Sequence, residues 1–305
     1  MRWLKLAAVA GVLTVAAWAG IVEDTRIALE SYNFAAADAA LQAYRAQHGI
    51  TPEYVEAYSW MGRAALKARE YDQAVAYAKQ TKVDALVLLR KRKLDADEHL
   101  PMALGAAFEV EAQGDVALGR KGQAITLLRA AIRSYGTTSI HARLQKNLNE
   151  LTLQGSVAPA LSVTQALGAK SPTLAALKGK PVLLFFWAHW CGDCKAEAPV
   201  IAQLKADYAS QGLTVVGPTR YYGYTAQIEH ATPQQELPYI EAVHKQYYAM
   251  LKDMPVPVGA ANFDRYGAST TPTLVLIDRA GKVAMYHPGA MTYSDLRQEI
   301  EKVAR

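Results

Sequence analysis

Cysteine is nearly absent from this 305-residue chain, which has only Cys191 and Cys194. Two cysteines this close cannot staple distant segments, so a disulfide-built scaffold is excluded. No second C-x-x-C supplies the further ligands that a structural zinc site needs. Proline is scarce in the first half, where only Pro52 and Pro101 precede residue 159. That scarcity leaves room for long helices. A large excess of charge of either sign is also missing. The net charge is +5, of which Arg2 and Lys5 supply two, residues 20–150 one and residues 151–305 two. Such a balance excludes the broad basic face that nucleic acid requires. The single basic run, Arg90-Lys91-Arg92-Lys93, is followed by Asp95, Asp97 and Glu98 and reads as self-neutralised surface.

What is present divides into three parts. Residues 1–19 join a short basic start to an apolar run, Leu6 to Trp18, and end near a small-x-small pattern, Ala17-Trp18-Ala19. This is the outline of a secretory signal peptide, with an uncleaved anchor as the alternative. Either way the rest of the chain is expected outside the cytoplasmic membrane, in the periplasm or another extracytoplasmic space.

Residues 20–153 are alanine-rich and helix-periodic. "NFAAADAALQAY" (33–44), "EYDQAVAYAKQ" (70–80) and "KGQAITLLRAA" (121–131) resemble one another. "AYSWMGRAALKAREYDQAVAYA" (57–78) resembles a tetratricopeptide unit, with Trp60, Gly62 and Ala65 in a first helix and Tyr71 and Ala74 opening a second. The spacing between the alike stretches is uneven, so the reading is a degenerate, TPR-like helical domain, with a plain helical bundle as the alternative.

"QGSVAPALSV" (154–163) changes character and opens a second domain, 154–305. "PVLLFFW" (181–187) predicts a strand buried on both faces. A helix is expected from about Cys191 to Gln211, a strand at 212–218, and a helix from the Thr232-Pro233-x-Gln235 capping signal to about Lys252. A hairpin over 271–289, turned at Arg279-Ala280-Gly281, and a helix from Tyr293 to Val303 complete an α/β sandwich.

Cys191 falls where the buried strand gives way to a helix. Unpaired amides at a helix start stabilise an anion, so Cys191 is the candidate nucleophile. Cys194, one turn further, can resolve a mixed disulfide. W-A-x-W-C-x-x-C after an apolar strand, with Pro199 beyond it, resembles the thioredoxin-like superfamily. "LAALKGKPVLLFFWAHWCGDCKAEAP" is most similar to the exported TlpA/ResA-type thiol-disulfide oxidoreductases, over about residues 155–305.

The resemblance implies further site residues. Thr271-Pro272 matches the family's cis-proline, which lets the preceding backbone pair with a substrate. Thr271 and Trp190 are then substrate-binding. Glu197 matches a buried acid in the active-site helix that moves protons at the inner thiol, with solvated helix surface as the alternative. Thioredoxin itself carries its acid on the preceding strand, where this chain has Phe185. His189 either tunes Cys191 by its charge or is a neutral exposed side chain. The insertion at about 217–265 is tyrosine-rich, and Tyr221, Tyr222, Tyr224, Tyr247 and Tyr248 are candidates for a substrate groove or for packing.

The expected function is reduction of protein disulfides through the Cys-Gly-Asp-Cys dithiol, with no cofactor beyond that pair. Asp193 opposes thiolate formation, which favours a reductant. Expected partners are protein disulfides, a membrane electron donor and a protein docked on the helical domain. Three rivals fit less well. A peroxiredoxin-related thiol peroxidase wants T-x-x-C, and position 188 is Ala. A Sco-like copper chaperone wants C-x-x-x-C with a distal histidine; the spacing here is one short, though His287 is available. A non-enzymatic repeat scaffold leaves the motif around the cysteines without a purpose.

Overall fold

The computed structural model describes residues 20–163, 165–167 and 170–304; the leader-like segment 1–19 lies outside them. From Ile21 to Thr152 the chain is all-helical. The helices are α1 (Ile21–Glu30), α2 (Phe34–His48), α3 (Pro52–Lys67), α4 (Tyr71–Leu89), α5 (His99–Ala117), α6 (Lys121–Tyr135) and α7 (His141–Thr152). Their starts follow local chemistry. Asn33 accepts the Ala36 N–H at 3.1 Å, and Thr51 accepts that of Tyr54 ahead of Pro52 at the first turn of α3. Asp97 accepts the N–H groups of His99 and Leu100 and so caps α5. It does more than neutralise the basic run, although Arg92 also reaches it at 3.0 Å.

Small residues set the spacing of these helices. Ala57, Ala65, Ala74, Ala103 and Ala106 are wholly buried. A Cβ on Gly62 would stand 3.4 Å from both Tyr77 Cβ on α4 and Val110 Cγ1 on α5, so α3 lies close against both. The three alike stretches run into α2, α4 and α6. Among the described residues no helix is long and apolar enough to cross a membrane.

The second half is a mixed α/β fold. In order it contains β1 (Ala166–Leu167), β2 (Val182–Phe186), α8 (Gly192–Asp207), β3 (Thr214–Val216), α9 (Pro233–Tyr247), β4 (Val256–Pro257), α10 (Ala260–Tyr266), β5 (Thr273–Ile277), β6 (Val283–Pro288) and α11 (Tyr293–Ala304). Four strands pair in the order β3-β2-β5-β6, with β3 parallel and β5 antiparallel to β2. A separate short pair joins β1 to β4. The expected strands and helices are present, most of them shorter, while α11 runs one residue past the expected Val303. α8 stops at Asp207, and α9 at Tyr247, followed by a single 3-10 turn over Ala249–Leu251.

Every residue of β2 is buried. Leu183 and Phe185 face a core built with Ala198, Ile201 and Leu204 of α8, Ile240 of α9, and Leu296 and Ile300 of α11. Val182, Leu184 and Phe186 face the other side, where Phe263 and Tyr266 of α10 lie 5.3 and 5.2 Å from the Phe186 ring. A side chain enclosed in this way contributes about 1.5–3 kcal/mol. The turn from β5 to β6 is held by Asp278, whose carboxylate accepts the N–H groups of Ala280 and Lys282. Arg279 donates to the carbonyls of Gly179, Gln211 and Ala304, tying the approaches to β2 and β3 to the end of α11.

The two halves meet through α7 and α10. Asn149 Nδ2 donates to the Arg265 carbonyl at 3.4 Å. Gly267 ends α10 in the left-handed region (φ 60°), and a Cβ there would overlap the backbone of Gln145 and Lys146. Gly267→Ala therefore adds left-handed strain to a backbone clash. We expect it to cost about 3 kcal/mol or more, seen as a lower urea midpoint than the parent's. An unchanged midpoint would mean that α7 does not rest on this residue.

Candidate active site

Phe186 pairs with Thr273 across β2 and β5. The segments beyond these residues, Trp187–Cys191 and Ser269–Pro272, therefore emerge from the same end of the sheet. The Thr271–Pro272 peptide is cis. Cys191 and Cys194 are joined in a disulfide. Cys191 sits at the N-cap of α8, where its Sγ accepts the Cys194 N–H at 3.0 Å. This is the local geometry that stabilises a negative sulfur once the bond is reduced. The outer sulfur is not open to solvent as a bare helix start would leave it. Cys191 is only 3 % exposed and Cys194 is wholly enclosed, because Trp187, Ala188 and the insertion wrap the turn before α8.

Glu197 lies one turn beyond Cys194 on α8 and is 4 % exposed, so the solvated-surface alternative is overturned. Its Oε1 accepts the Met291 N–H at 3.2 Å, from the loop ahead of α11. Burial pushes the Glu197 carboxyl above the ordinary carboxylate range. The Met291 N–H opposes that rise and the nearby Asp193 charge adds to it. The strand position that could have carried an acid is filled by Phe185, packed 6.1 Å from the Tyr248 ring.

His189 is neither exposed nor well suited to act as a charge. It is 1 % exposed, and burial lowers its pKa against the pull of Glu236. Glu236, on α9, is fully buried. Its carboxylate accepts the N–H groups of Tyr222 (2.7 Å) and Gly223 (2.8 Å), and His189 Nε2 lies 3.1 Å away. An acceptor in that position places the imidazole proton on Nε2. The His189 ring is walled edge-on by Tyr222, Tyr224 and Tyr239. Trp187 adds a second tie to the insertion: its Nε1 donates to the Gly217 carbonyl at 2.9 Å, while its carbonyl accepts from Thr219 Oγ1 at 2.9 Å.

The tyrosines therefore divide. Tyr248 is a buried plug 4.7 Å from Trp187, and Tyr222 stands between His189 and Trp190. Tyr221 is half-buried, and Tyr224 and Tyr247 are exposed on the outer surface. A groove lined by all five does not form. Trp190 remains 49 % exposed, edge-on to Tyr222. Thr271 Oγ1 is buried with no partner among the described residues. Glu236 was missed in the sequence because a glutamate just inside a capped helix reads as a complement to the helix dipole. Nothing local shows that it reaches across to His189.

Glu236→Gln leaves one acceptor oxygen for three donors and turns an amide N–H₂ toward one of them. We expect a loss of about 2–3 kcal/mol in chemical unfolding of the oxidised protein. Stability equal to the parent's would mean that the carboxylate does not hold the 222–223 turn.

Comparison with known proteins places this geometry. The Redoxin family model matches residues 153–302. The thioredoxin-like protein YneN of Bacillus subtilis is 29% identical over 152 residues, covering 48% of this chain and 79% of that protein. The thiol-disulfide oxidoreductase ResA of Geobacillus thermodenitrificans is 28% identical over 153 residues, covering 49% of this chain and 77% of ResA. A solved structure of a secreted Mycobacterium tuberculosis disulfide oxidoreductase, homologous to E. coli DsbE, is 25% identical, with a TM-score of 0.32. It covers 42% of this chain and 85% of that one. Each of these matches covers less than half of this chain, and the family model's lies in the second half. That half has a thioredoxin-like fold, and within it Cys191–Cys194 is the C-x-x-C active-site disulfide of a thiol-disulfide oxidoreductase.

Proposed function

We propose that the protein is an extracytoplasmic dithiol reductase of protein disulfides. The observation that carries this reading is the stacking of three groups along α8: Cys191 at the N-cap, Cys194 enclosed beneath it and the buried Glu197 carboxyl one turn on. In the reduced protein the Cys191 thiolate attacks one sulfur of a substrate disulfide. That S–S bond breaks and the other substrate sulfur leaves with the electron pair. Cys194 then gives its proton to the Glu197 carboxylate and attacks Cys191 Sγ. The mixed disulfide breaks, the second substrate sulfur leaves as a thiolate, and the protein is left with the Cys191–Cys194 bond; the two substrate thiolates take up protons from the Glu197 carboxyl and from water, giving the dithiol. A membrane dithiol donor restores it by the same exchange run in reverse.

Thr271 and Trp190 flank this reaction as substrate contacts. The cis Thr271–Pro272 bond at the same sheet end supports backbone pairing of a substrate strand with Thr271. The signal-like segment 1–19 supports an extracytoplasmic location. Residues 20–153 form a partner-binding TPR-like domain and residues 154–305 the redox domain. The Trp60-Gly62-Ala65 pattern on α3, closely packed on α4, supports the repeat reading.

Direction follows from charge. Asp193 lies beside Cys191 and opposes its thiolate, and no histidine between the cysteines favours it. A less stable thiolate makes a stronger reductant, so equilibration with glutathione should give a potential of about −270 mV or lower. A value near −120 mV, typical of a strong oxidant, would reverse the direction.

Glu197 sets the pH dependence. Its raised pKa means that the carboxylate needed to accept the Cys194 proton forms only at higher pH than for an ordinary glutamate. The resolving step should therefore quicken as pH rises through that value and level off above it. Glu197→Gln removes this limb and slows disulfide reduction by about 10- to 1,000-fold, while Cys191 still reacts with iodoacetamide. The check is a rate profile across about pH 5 to 9. An unchanged rate and profile would return Glu197 to a packing role.

A further inference from the structure

The chain entering the cis-proline turn does not run over open solvent. Between α10 and Pro272 it crosses the face of the helical half. There Ser269 and Thr270 form one side of a cleft of about 540 Å³; the other side is mixed, with Pro101 and Met102 beside the charged Glu98, Glu109, Arg143 and Lys146. Met102 is 45 % exposed and so offers apolar surface at the cleft, and Ser269 and Thr270 are also exposed.

The two walls are fixed relative to each other. Gly267, two residues before Ser269, lies directly on the α7 backbone at Gln145 and Lys146. Tyr286 on β6 donates its O–H to the Tyr266 carbonyl at 2.8 Å, holding the end of α10 to the sheet. On the helical side, Glu109 of α5 is clamped by Arg143 and Lys146 of α7. Arg63 donates to the Met102 carbonyl at 3.2 Å. The cleft is thus built on packed elements rather than on a loose junction between domains.

Its position determines what can occupy it. Ser269 is two residues from Thr271, so the span is at most about 7 Å of backbone. A polypeptide joined to Cys191 and paired with Thr271 advances about 3.3 Å per residue. Its next two or three residues in the direction of Ser269 must therefore enter the cleft. We propose that the cleft between α5, α7 and the 267–271 segment is the outer half of the substrate site. It receives the extended polypeptide flanking the substrate's cysteine and seats an apolar side chain against Pro101 and Met102. The proposal rests on the reductase reading above and adds to it a role for the helical half. That half selects polypeptide disulfides over small ones.

The test uses the full chain carrying Cys194→Ser. The probe is a decapeptide with a central cysteine activated by 2-nitro-5-thiobenzoate and leucine at the flanking positions; activated free cysteine is the control. Cys191 attacks the peptide sulfur, nitrothiobenzoate leaves as the thiolate, and a peptide–Cys191 disulfide remains. The decapeptide should react about 10-fold faster than activated cysteine, the gain expected from burying part of one apolar side chain. Met102→Asp should remove that advantage and leave the cysteine control unchanged. Met102 lies on the surface and outside the reacting groups, so the control rate also reports that the variant is folded. With photoreactive p-benzoylphenylalanine at position 102, illumination should cross-link the trapped peptide through a residue flanking its cysteine. An intact peptide–Cys191 disulfide with no such cross-link, a cross-link to a second copy of the chain, or an unchanged rate ratio in Met102→Asp overturns the cleft assignment alone. Failure to form the peptide–Cys191 disulfide at all overturns both the cleft and the reductase reading.

Discussion

Enclosure of β2 on both faces is the constraint on which the active site depends. A strand with side chains packed above and below cannot slide, because a shift of one residue would exchange its two faces. Leu183 and Phe185 are committed to α8 and α11, and Leu184 and Phe186 to α10. The point where the strand ends is therefore fixed, and with it the start of α8 and the N-cap position of Cys191. Pairing of Phe186 with Thr273 fixes the cis-proline turn in the same frame. Two segments distant in sequence are held in place by one register.

The insertion between β3 and β5 reinforces that frame from outside. Its contributions are polar as well as apolar. Glu236 gathers His189 and two backbone amides, and Gly217 and Thr219 bond to Trp187. A carboxylate sealed from water costs several kcal/mol unless its acceptors are satisfied, so such a knot either forms completely or is strongly destabilising. This explains why the residues before Cys191 are more deeply enclosed than a bare helix start would be.

Much of the redox half was legible in the sequence because its signals are local. Five apolar residues in a row, a helix start at the cysteines and a T-P step before another apolar run each describe a few neighbouring residues. What was not legible depends on contacts across the chain. The pairing of Glu236 with His189 spans 47 positions. The burial of Tyr248 under Trp187 and the placing of α7 against Gly267 follow from tertiary packing that no short pattern encodes. The pair β1 and β4 has two residues in each strand, below the length at which alternation can be recognised. In the helical half the alanine periodicity disclosed helices but not their mutual arrangement, since alanine fits almost any close helix contact.

The place of the buried acid has a mechanical consequence. Where a carboxyl sits on a strand and the thiol on a helix, their separation changes whenever the helix shifts on the sheet. Here Phe185 occupies the strand position, and Glu197 shares α8 with Cys194. Their spacing is set by the pitch of one helix, so α8 can tilt or translate as the disulfide opens and closes without altering the distance between them. The tether that does feel such movement is the Met291 amide, on a different element. Displacement of α8 would thus be transmitted to the loop ahead of α11, making that loop the natural place to observe the redox state of the protein by amide hydrogen exchange.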